Sequence, residues 1–114
     1  MLGHLQQLLA RIGVGAILQV QNIPVFNGVM ALAQSGVSST LLEQNQHVLK
    51  QVDCKDLRDS SWRNILCDPQ TSGGLLGIVP ASRSDEIVMN LRDSGCEFTS
   101  VVGSIVDQNG IQIR

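Results

Sequence analysis

The feature that most constrains this chain is a helical stripe that stops at two glycines and hands over to a β-compatible run. Leu2, Leu5, Leu8, Leu9 and Ile12 recur at steps of three and four, which draws one apolar face along a helix. Gly13 and Gly15 end it, since glycine takes left-handed conformations without a Cβ clash. Ala16 to Gln21 alternates in part and predicts a short strand, closed off by Pro24, which has no N–H to give a ladder. Helical and extended periods then keep exchanging. Val25 to Ser35 predicts a second helix, with Val29, Leu32 and Ala33 on one face and Gly36 as its stop. Val37 to Asp59 is polar and weakly periodic, with at most a loose helix on Leu41, Leu42, Val48, Leu49 and Val52. Trp62 to Leu66 predicts a helical turn, and Leu75 to Val79 is a continuous apolar run that suits a buried, doubly covered strand. Ser82 with Asp85 predicts a capping box opening a helix that turns Ile87, Val88 and Leu91 inward and closes at Gly95. Phe98 to Val106 predicts a strand, Asn109-Gly110 a tight turn, and Ile111 with Ile113 the return strand. The expected fold is α+β (mixed α/β): a mixed sheet of about four to six strands flanked by helices, ending in a β-hairpin.

Composition narrows the function classes. With 114 residues the chain is expected to be a single domain, 1–114, and its 43% apolar and 16% charged residues place it among globular proteins. No apolar run approaches the roughly 20 residues of a membrane span. A net charge of −2 and three aromatics, Phe26, Trp62 and Phe98, offer neither the basic patch nor the stacking platform of a nucleic-acid binder. Cys54, Cys67 and Cys96 form no CxxC pair, and an odd count fits no disulfide framework. Reduced thiols, and no segment that reads as a signal peptide, make the cytoplasm the expected compartment.

The segment richest in chemistry is Asp68-Pro69-Gln70-Thr71-Ser72-Gly73-Gly74. It offers two hydroxyls and backbone N–H groups unhindered by side chains, which suits close approach to a phosphate. It lacks the lysine and the spacing of a P-loop, and a tight turn before a core strand is the plain alternative. Asp53, Asp56 and Asp59 are the densest carboxylates, but Lys55 and Arg58 interleave with them as on a solvated face, so no metal site is expected. His4 and His47 have no ligand partner at a recognisable spacing, and no neighbouring His or Lys marks Cys67 as an activated thiolate. No catalytic residue is expected among these 114.

The string Leu66-Cys67-Asp68-Pro69-Gln70-Thr71-Ser72-Gly73-Gly74-Leu75-Leu76 resembles the signature of the selenide, water dikinases, or selenophosphate synthetases. Leu2-Gly3-His4-Leu5 is similar to the end of a Gly-Phe-Gly-Leu-Leu-Gly-His stretch in that family, and Ile23-Pro24, Gly28 and Gly36 to its Ile-Pro segment and following helix. Glu43 and Asn45 fall where the family has a Gly-Gly-Thr-x-x-Asn segment, although Thr40 and Leu41 stand in place of the paired glycines. The likeness implies the family's C-terminal domain, of the kind found in aminoimidazole ribonucleotide (AIR) synthase. The catalytic Cys or selenocysteine, its lysine and the metal- and nucleotide-binding aspartates would lie in an N-terminal ATP-binding domain outside this chain. It further implies a homodimeric enzyme that makes selenophosphate from selenide, ATP and water with Mg2+, releasing AMP and phosphate. Thr71, Ser72, Gly73 and Gly74 would then face the nucleotide phosphates, with Asn45 as a further contact, and the chain alone would bind no cofactor and be inactive. Two other readings stand beside this one. The chain could be the corresponding domain of AIR synthase, thiamine-monophosphate kinase or a hydrogenase maturation factor, or a stand-alone non-catalytic binding domain.

Overall fold

The computed structural model describes residues 1–70 and 72–114. Helix α1 spans Leu2–Ile12 and buries Leu2, Leu5 and Leu9, the predicted stripe, while Ile12 stays exposed at its end. Gly13 caps it at φ 72, its N–H donating to the Leu9 carbonyl at 2.9 Å. Strand β1, Gly15–Leu18, follows as expected but ends sooner, because Val20–Asn22 coils into a 3-10 turn ahead of Pro24. Helix α2 is confined to Val29–Gln34. The expected start at Val25 is not reached: Gly28 sits at φ 86, outside the helical region, so regular helix starts only after it. The weakly periodic stretch becomes α3, Leu42–Asn45, a 3-10 segment over Gln46–Gln51, and the two-residue strand β2, Val52–Asp53. Helix α4 covers Ser61–Cys67, α5 covers Ser84–Asp93, and strands β3, Gly103–Val106, and β4, Gly110–Ile113, complete the chain.

The four strands form one mixed sheet in the order β2-β4-β1-β3, so the expected α+β class holds. β1 pairs parallel with β4 and antiparallel with β3. The last two strands are antiparallel arms joined through 107–109, with Gly110, the first residue of β4, at φ 109. The hairpin is split, with β1 seated between its arms, so the connection is wider than the tight turn expected at Asn109-Gly110. Parallel register sets Ala16 beside Ile111 and Leu18 beside Ile113, and all four side chains are buried. They share one pleat face with period two. Helix α1 packs against β1, and Leu2, Leu5 and Leu9 of α1, Leu66 and Cys67 of α4, and Leu42 and Val48 join these four in one core.

Three expectations fail, each for a reason beyond local sequence. Leu75 to Val79 has no regular secondary structure and joins no ladder; Leu75 is fully exposed, Ile78 and Val79 are exposed, and only Leu76 packs against the core. An apolar run specifies burial but not a partner, and Gly77 inside this one weakens strand formation. The capping box does not form: Ser82 lies in a 3-10 turn over Ala81–Arg83, and α5 starts from Arg83 with no side-chain cap. Arg83 pairs instead with Glu86 at 3.1 Å. Ile87 and Val88 are half-buried, Leu91 is exposed, and no residue of α5 is fully buried. Finally, β3 begins at Gly103, leaving Phe98 outside the sheet and 72% exposed. The glycine stop at Gly95 does hold, at φ 96, with the Cys96 N–H donating to the Leu91 carbonyl at 2.9 Å.

Candidate functional site

The motif begins where α4 ends. Leu66 and Cys67 are buried in the core, and Asp68 turns the backbone out of the helix at φ −60, ψ 133. This is the geometry expected of a residue preceding proline. Pro69 follows half-buried, and the Gln70 N–H donates to the Asp68 carbonyl at 3.0 Å. Ser72, Gly73 and Gly74 are all exposed; Thr71, the remaining residue assigned to the loop, lies outside the described residues. Space for a Cβ is open at Gly74, whereas at Gly73 one would come within 3.0 Å of the Gln70 side-chain oxygen. Ser72, Gly73 and Gly74 are therefore reachable from solvent, with the Gln70 side chain beside Gly73.

Asn45 is brought to this loop, though it approaches from behind. Its Nδ2 donates to the Cys67 carbonyl at 3.0 Å, at the point where the helix gives way to the motif. Next to it, Gln46 donates to Asn64 Oδ1 at 3.0 Å. The junction of α3 and the 3-10 segment thus grips α4 twice. A contact across 22 residues leaves no periodic trace in the sequence, which is why Asn45 could be singled out there only by resemblance.

The carboxylates serve the backbone. Asp59 accepts from the Ser61 N–H at 2.9 Å and from Gln34 at 2.8 Å, which ties the approach to α4 to α2. These bonds, the Ser61 N–H foremost, hold the Asp59 carboxyl below its ordinary range. Asp53 accepts from the Lys55 N–H at 3.1 Å and faces its ammonium at 3.5 Å. Among the described residues no group of His, Cys, Asp or Glu side chains is placed to hold a metal ion. A surface depression of about 590 Å³ is lined by Lys55, Asp56, Arg58 and Arg114, none of which belongs to the motif. No helix among the described residues is long and apolar enough to cross a membrane.

Burial pushes the thiols of Cys67 and Cys54 above their ordinary value. A raised thiol keeps its proton in the folded state after the unfolded chain has lost it. The stability held by these thiols is therefore complete below the ordinary value of 9.0 and is lost as pH rises beyond it. Denaturant midpoints measured upward from pH 9 should fall, and fall less in Cys67→Ala. Iodoacetamide should modify the exposed Cys96 first, the half-buried Cys54 next and Cys67 last. Alkylation of Cys67 as fast as Cys96 in the folded chain would contradict its burial.

No family model matches the chain. Individual proteins do. The selenide, water dikinase of Clostridioides difficile (strain 630) is 30% identical over 107 residues, covering 93% of this chain and 31% of that protein. That of Salmonella typhi is 32% identical over 114 residues, covering 96% and 31%. The Escherichia coli (strain K12) enzyme gives the same identity and the same two shares. Along nearly its whole length this chain is a relative of the selenide, water dikinases, and it spans about 31% of theirs.

Proposed function

We propose that the chain acts as the C-terminal domain of a selenide, water dikinase, the enzyme that would make selenophosphate from selenide, ATP and water with release of AMP and phosphate. One observation carries this reading: the likeness runs through 93–96% of the chain, loop and core together. It favours the selenium enzyme over AIR synthase and its other kin, because the relatives matched are named for that activity. In this reading the domain lies against an N-terminal ATP-binding domain, in a cytoplasmic homodimer, and helps enclose the nucleotide. The exposed loop fits a phosphate, with the Ser72 hydroxyl and the N–H groups of Gly73 and Gly74 as donors and Thr71 as a fourth contributor. Magnesium finds no matching carboxylate set among the described residues, so no metal-dependent step is assigned to them. What this chain contributes is orientation of the phosphates and exclusion of water around them.

A chimera tests this. The chain replaces the matching third of the E. coli enzyme, and AMP formation from ATP is followed with and without selenide. The folded chimera is expected to form AMP only when selenide is present, and the 114-residue chain alone to form none above a buffer control. Thr71→Ala or Ser72→Ala removes a donor to a charged oxygen, a loss of roughly 1.5–3 kcal/mol. That corresponds to an about ten- to hundred-fold fall in rate or ATP affinity. Gly73→Val tests close backbone approach, with thermal melts to confirm folding. A folded but inactive chimera overturns the assignment; full activity in all three folded variants overturns the role of the loop and leaves it a turn.

A further inference from the structure

Asp68 to Gln70 leave directly from the last turn of α4, so whatever fixes that turn sets where the motif departs. Two side chains reach it from the α3 junction. Asn45 donates to the Cys67 carbonyl at 3.0 Å, and Gln46 donates to the Asn64 side chain at 3.0 Å. Their consequences differ. The Gln46 bond joins side chain to side chain three residues before the helix ends, and it holds the helix to its neighbour. The Asn45 bond engages the carbonyl of the final helical residue, one of those that a helix leaves without an intrahelical partner. That peptide is also the hinge: its carbonyl belongs to Cys67 and its nitrogen to Asp68, where the backbone leaves the helical region. Both Asn45 and Cys67 are at least partly buried, so water is a poor substitute donor there.

We propose that Asn45 is the positioning residue for the exit of the motif from α4, acting through the Cys67 carbonyl. This adds a role to the contact with phosphates that resemblance suggested for it: one amide N–H serves the backbone, and the second N–H and the Oδ1 stay free among the described residues. The proposal deepens the dikinase reading by naming what presents the loop, and it rests on that reading only for the consequence in catalysis.

The test reads the loop itself, in the 114-residue chain, so failure of the dikinase reading leaves it decidable. Backbone amide order parameters and the Cys67 carbonyl carbon shift are measured in wild type, Asn45→Ala and Gln46→Ala. In Asn45→Ala the Cys67 carbonyl resonance is expected to move, and the order of Gly73 and Gly74 to drop below about 0.6, the flexible range. Order in α1 and β4 is expected to stay unchanged. In Gln46→Ala the loop is expected to keep its wild-type order. Equal loop order in wild type and Asn45→Ala, or an equal drop in both variants, overturns the proposal. If Asn45→Ala fails to fold, Asn45→Asp keeps the shape and loses the donor; a chain unfolded in both while Gln46→Ala folds makes Asn45 a folding residue and equally overturns it.

Discussion

Gly15→Ala is expected to cost about 3 kcal/mol or more of stability, at or beyond the upper end of ordinary overpacking. The cause is the split hairpin. To bring β3 and β4 to opposite sides of β1, the Asp107–Asn109 connection crosses the beginning of that strand, where Gly15 stands beside both Val106 and Gly110. A Cβ on Gly15 would be driven into the backbone carbonyls of Gln108 and Gly110. Backbone cannot rotate aside as the tip of a long side chain can, so either the turn or the register must give. A one-residue slip would turn Ala16 and Leu18 away from α1, which makes relief by slippage expensive as well. Gly74→Ala is the control: nothing lies within 4 Å of a Cβ built there, and its loss should stay within about 0.5 kcal/mol. Urea unfolding of both variants decides the matter. A Gly15→Ala midpoint as high as that of Gly74→Ala would mean that the turn does not cross β1 as described.

What could be read from the sequence divides along the range of the interactions concerned. Helix α1, its glycine stop and the chain reversal ahead of Gly110 are written in residues a few positions apart, and each appears where local periodicity or glycine's freedom sets it. The insertion of β1 between the two arms is not local. Leu18 meets Ile113 across 95 positions, and no alternation in either strand names the other as partner. The same lack explains Leu75 to Val79, whose composition suits a covered strand while the four-stranded sheet closes without it. At the candidate site, composition showed the loop's hydroxyls and glycines, and resemblance brought Asn45 into view. That Asn45 meets the Cys67 carbonyl, where α4 gives way to the motif, comes from tertiary contact alone.

Leu66→Ala should be the costliest truncation beside the motif, at roughly 2–5 kcal/mol. Leu66 is 1% exposed, one of the three largest side chains fully enclosed by the fold, together with Leu2 and Ile113. It belongs to the one buried core, on a helix that packs against α1, α2 and α3, so shortening it removes transfer free energy and leaves a cavity. Helix α4 has only seven residues, too few to persist without packing, and its last two turn directly into the loop. Loss of this anchor should therefore loosen the loop as well as the core. Trp62, the chain's single tryptophan, sits four residues before Leu66 on the same helix, and its fluorescence reports the state of α4 during denaturant unfolding. Leu75→Ala, nine positions further on and fully exposed, should shift the midpoint by no more than about 0.5 kcal/mol. The contrast is sharp because sequence alone ranks the two the other way, placing Leu75 at the start of the longest apolar run and Leu66 in a single helical turn. Equal losses in the two variants would mean that the run from Leu75 is buried after all and that the sheet has a fifth strand.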